Sequence, residues 1–81
     1  MGERMIRLEL EELPEGVWLA TSGDVPGLVV EGRTVAEAIE IAQDAVRRLV
    51  ESYLEHGDPL PPALAQEAPK HFYAQVPVGV A

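Results

Sequence analysis

The chain has 81 residues, 14 of them Asp or Glu against 6 Lys or Arg, for a formal net charge of −8. A chain of this length supports one hydrophobic core, so a single domain over residues 1–81 is expected. The acidity argues against direct nucleic-acid binding, which depends on neutralising phosphates with Lys and Arg, and favours a basic protein partner. With no cysteine there is no disulfide framework and no thiolate metal site. The start, Met1-Gly2-Glu3-Arg4-Met5, lacks the apolar run of a signal peptide, and no stretch nears the roughly 18 apolar residues of a membrane span. A cytoplasmic protein without membrane contact is the expectation.

From Met5 to Glu12 the chain alternates, with Ile6, Leu8 and Leu10 opposed to Arg7, Glu9 and Glu11, the period of a half-buried strand. Leu13-Pro14-Glu15-Gly16 reads as a turn, and Val17–Ser22 as a second strand rich in β-formers. A second turn, Gly23-Asp24-Val25-Pro26-Gly27, leads to a short third strand over Leu28–Glu31, closed by Gly32-Arg33. Thr34-Val35-Ala36-Glu37 is a capping box, in which the Thr34 hydroxyl accepts from the Glu37 backbone N–H and Glu37 reaches back. Apolar residues then recur at Val35, Ala38, Ile39, Ala42, Ala45, Val46, Leu49, Val50, Tyr53 and Leu54, one face of a helix over residues 35–56, about 33 Å long. Gly57 is placed to end it. Residues 58–69 form a proline-rich connector, with a short turn expected near residues 63–67. His71–Val78 alternates again, and Pro77, which lacks an N–H, puts this last strand, or its own end, at a sheet edge.

The order βββαβ describes an α+β domain of two layers: a four-stranded mixed sheet covered on one face by one long helix. A right-handed crossover returns the last strand beside the first and parallel to it, giving sheet order 3-2-1-4.

The segment Val25-Pro26-Gly27-Leu28-Val29-Val30-Glu31-Gly32-Arg33-Thr34-Val35-Ala36-Glu37-Ala38 resembles the signature of the HicB family. In that signature a Pro-Gly turn leads into a short strand, then Gly, a variable residue, Thr or Ser and a Glu-Ala helix start. The resemblance extends over the element order from about residue 4 to residue 80. It implies a partial ribonuclease-H-like fold and an antitoxin that binds HicA, a small basic toxin that cleaves mRNA, and blocks its active site. Many members add a C-terminal DNA-binding segment. No such segment is expected after Val78, and toxin binding without autorepression is the expectation. Within the motif, Asp24, Pro26, Gly27, Gly32, Thr34 and Glu37 read as turn and capping residues that set the fold.

Catalysis finds little support. A two-metal nuclease needs carboxylates converging from the first strand, the helix and the last strand. Glu9 or Glu11 and Glu37, Glu40 or Asp44 could serve in the first two, but the last strand offers only His71, Tyr73 and Gln75. His56 and His71 have no metal-ligand spacing, and Ser22 and Ser52 have no triad partners. No enzyme activity, cofactor or metal is expected, and a metal-dependent nuclease is the weakest of the readings. A partner or oligomer surface is the alternative use of the chain. Trp18 and Tyr73 fall on the uncovered sheet face beside Glu9 if Val17 and Leu19 face the helix, and Ile41 lies off the apolar stripe. A homodimer or higher homo-oligomer, acting as a structural or regulatory module without a toxin, is therefore carried beside the antitoxin reading.

Overall fold

The computed structural model describes residues 2–80. Three short strands, β1 (Glu9–Glu12), β2 (Trp18–Thr21) and β3 (Val29–Gly32), form an antiparallel sheet in the order β1-β2-β3. A helix, α1 (Val35–His56), crosses β3 and β2, and a single turn of helix, α2 (Pro62–Ala65), follows the connector. Leu10 stands opposite Ala20 and Ala20 opposite Val30, which places these three on the helix-facing side. Glu11, Leu19 and Glu31 form the next row, on the open side.

The turns use the residues that their geometry demands. Gly16 has φ +90° and donates its N–H to the Leu13 carbonyl at 2.9 Å, while the Leu13 N–H donates to Val17 at 2.8 Å. Gly27 has φ +83°, a region closed to most side chains, and lets the Leu28 N–H reach the Val25 carbonyl at 3.2 Å. Thr34 caps α1 by accepting from the Glu37 N–H at 3.0 Å. The Glu37 carboxylate accepts from the Arg33 N–H at 2.9 Å, one residue earlier than the usual capping box. At the other end Gly57 has φ +70°, and Asp58 donates to the Tyr53 carbonyl at 2.9 Å, a Schellman closure.

The core is small. Val25, Leu28, Ala42 and Leu64 are buried together, with Ile6, Leu8, Val30, Val46, Leu49 and Val50 packed around them. Ala20, Ala38 and Ala42 are fully buried between α1 and the sheet. Gly32 is buried as well, because the first turn of α1 lies directly on it. A Cβ there would stand 2.5 Å from the Ala38 nitrogen and 2.8 Å from its Cα.

The expected four-stranded mixed sheet of order 3-2-1-4 is not formed; the sheet has three strands, all antiparallel. Residues 71–80 include no strand and are exposed throughout. Alternation marks an extended chain but does not supply a partner for it. The last hydrogen bond holding this tail to the body, among the described residues, runs from the Ala68 N–H to the Glu3 carbonyl at 3.0 Å. Beyond it a cleft of about 970 Å³ separates Phe72–Pro77 from Met5–Leu10. Pro69 and Pro77 each lack the N–H that a ladder needs. The expected first strand is also shortened to Glu9–Glu12, because the Arg7 N–H is taken by a side chain.

Gly32→Ala is expected to lower stability by about 3 kcal/mol, since the added methyl meets helix backbone and not a yielding side chain. Gly23→Ala, where a Cβ meets nothing within 4 Å, is expected to stay within about 0.5 kcal/mol of wild type. Urea denaturation at constant m-value checks both.

Candidate partner-binding surface

The motif between β2 and α1 builds a scaffold and leaves its outer face free. Ser22 and Asp24 clasp the backbone just before β1. The Arg7 N–H donates to Asp24 Oδ2 at 2.8 Å, the Ser22 hydroxyl donates to the Arg7 carbonyl at 2.6 Å, and the Asp24 N–H donates to Ser22 Oγ at 3.1 Å. Side chains thus extend the β1–β2 pairing beyond Glu9. Pro26 is exposed at the tip of the turn, and Val25 beside it is fully buried. Arg33 and Glu37 also pair across one helical turn at 3.6 Å, on the exposed flank.

The open side of the sheet carries Glu9, Thr21 and Val29 in one row and Glu11, Leu19 and Glu31 in the next. Glu9, Glu11 and Glu31 are exposed, Leu19 and Thr21 are half-buried, and Val29 is 63% exposed. This is an acidic surface with an apolar strip between the carboxylates. Its geometry suits a partner that brings basic and apolar groups together, because opposite charges at the rim steer encounter while the apolar strip is desolvated.

Two of the sequence-derived candidates lie on exposed surface of the folded body. Glu9 is on the open sheet face, and Ile41 is 38% exposed on α1. Trp18 is not on the open face. It is two residues from Ala20, stands opposite Gly32, and so shares the helix side, half-buried at the end of the sheet. Tyr73 lies on the tail, 92% exposed, with its ring edge-on to His71 at 5.4 Å. The two aromatics therefore form no joint patch on the open face. Sequence reasoning missed Ser22 and the carboxylates Glu11 and Glu31 as neighbours of Glu9 on one face. The Ser-x-Asp spacing signalled the first, and hairpin register would have given the second.

No metal-binding constellation is present among the described residues: no three His, Asp or Glu side chains converge. No helix among them is long and apolar enough to cross a membrane.

The sheet, the turn and the capped helix define a small two-layer α+β fold. Residues 6–74 match a family described as a domain of unknown function, DUF1902, and the chain belongs to that family. It is also 35% identical over 72 residues to "Antitoxin HicB" of Escherichia coli (strain K12), covering 89% of this chain and 51% of that protein. "Antitoxin HicB 1" of Photorhabdus laumondii is 35% identical over 74 residues, covering 89% of this chain and 44% of the relative. The resemblance to HicB antitoxins thus extends well beyond the motif. The chain spans about half the length of these curated relatives. No solved structure matches the chain.

The clasp lies inside the matched region. Asp24→Ala is expected to destabilise the fold by about 1 kcal/mol and to speed hydrogen exchange at the Arg7 amide, measured by NMR.

Proposed function

We propose that the chain is an antitoxin-like protein that binds and occludes a small basic, mRNA-cleaving toxin of the HicA type, and that it has no catalytic activity of its own. The similarity to proteins named as HicB antitoxins, over 89% of the chain, carries the reading. The physical surface supports it. A net charge of −8 attracts a basic partner, and Glu9, Glu11 and Glu31 surround Leu19 and Val29 on an open sheet face. An RNA-cleaving toxin must itself be basic where it grips phosphate, so an acidic face competes for that same surface. Glu9 belongs to the contact in this reading; Trp18, on the helix side, and Tyr73, on the tail, do not.

A second reading, a homo-oligomeric binding module without a toxin, is favoured by one observation. β3 is a free edge strand, and Val29 at its start is 63% exposed. Self-association along the β3 edge leaves Glu9, Glu11 and Leu19 on the open face uncovered, so a homodimeric antitoxin satisfies both.

Co-expression with the basic protein encoded beside its gene is expected to rescue growth and to give a stable complex; absence of both overturns the toxin reading. Glu9→Lys combined with Glu11→Lys is expected to slow association about tenfold or more at low salt, and much less at high salt, in stopped-flow or surface-binding kinetics. Purified protein with Mg²⁺ or Mn²⁺ is expected to leave RNA intact.

A further inference from the structure

The two edges of the sheet differ in a way that selects one of them for pairing. β1 reads Glu9-Leu10-Glu11-Glu12, so a second copy laid against it would meet carboxylate with carboxylate. β3 reads Val29-Val30-Glu31-Gly32 and carries none of the Lys, Pro or bulges that blunt a free edge. Beside it, Gly27–Val30 and the α1 residues Ala45, Arg48 and Leu49 line a groove of about 300 Å³. At about 100° per residue, Ile41 falls on the same flank of α1 as Ala45 and Arg48. Its 38% exposure, off the buried stripe, thus belongs to the β3 edge and not to the open sheet face.

We propose that this edge is a homodimer interface, in which β3 pairs antiparallel with β3 of a second copy and the two α1 helices meet flank to flank about Ile41. The inference rests on self-association, which both readings above share, and not on the toxin. Charge chooses both the occupant and the register. A two-fold axis at Val30 sets Val30 against its own copy and Val29 against Glu31, whereas an axis one residue later sets Glu31 against Glu31. The same axis runs the helices antiparallel. On this flank Glu37 precedes Ile41 by one turn and Arg48 follows it by two, so each Arg48 faces the Glu37 end of the other helix. A parallel approach would set like against like. The chain is therefore self-complementary along β3 under the symmetry that closes a dimer. The result is one continuous antiparallel sheet with both acidic open faces on the same side.

Sedimentation equilibrium of the full chain tests this. Wild type is expected to be dimeric at about 10 μM. Ile41→Asp and Arg48→Glu are each expected to weaken the dimer at least tenfold with unchanged circular dichroism, since both positions are exposed. Val76→Asp, in the tail, is expected to leave it intact. A monomeric wild type overturns self-association itself. A dimer that survives Ile41→Asp and Arg48→Glu overturns the β3 surface alone, and its loss in Val76→Asp would place the contact at the tail cleft.

Discussion

The closeness of α1 to the sheet is the constraint from which the rest of the fold follows. The helix backbone at Ala38 rests on Gly32, and three fully buried alanines, Ala20, Ala38 and Ala42, keep the layers close. A helix held at this distance leaves no room for large side chains over its first two turns, where Ala38 and Ala42 lie. The bulky part of the core is displaced to the end of the molecule where Val25 and Leu28 meet Leu64. The β2–β3 turn is thereby a structural element and not a surface loop, and its Ser22 and Asp24 are positioned to hold the start of β1. The cap at Thr34 fixes where the helix begins and hence which residue meets Gly32.

What could be read from the sequence divides along the range of the interactions. The α1 boundaries, Val35–His56, match the expectation because both ends are set by local groups, a hydroxyl cap and a left-handed glycine. The three strands appear in their expected places, the first two shortened and the third shifted by one residue to Val29–Gly32. The fourth does not, because pairing depends on a partner far away in the chain and period-two alternation does not identify one. The face of Trp18 was misjudged for a related reason. Leu19 has more apolar area than Ala20, so hydrophobicity favours Leu19 for the interior. A helix packed this closely instead selects the smaller residue, and Trp18 follows Ala20.

The candidate site shows the same division. The six motif residues Asp24, Pro26, Gly27, Gly32, Thr34 and Glu37 shape the scaffold by short-range turns, caps and one close approach, and the sequence exposes such features. The acidic row on the open face depends on strand register, which joins Glu9, Glu11 and Glu31 from two strands separated by β2. No linear motif records that neighbourhood. The charge total does not locate it either, since Glu40, Asp44, Glu51 and Glu55 are exposed on α1 instead.

The proline-rich connector has a mechanical consequence. Leu64 is buried in the core and Ala68 is bonded to Glu3, so the chain is pinned at two points and then released. Residues 69–80, drawn out fully, span about 40 Å, against a molecule 47 Å in its longest dimension. A tether of that reach keeps its apolar side chains at a local concentration on the order of millimolar around the body. The cleft beside Met5–Leu10 therefore has one wall built from the folded body and the other from a tether, so its width is set by how the chain is held beyond Ala68.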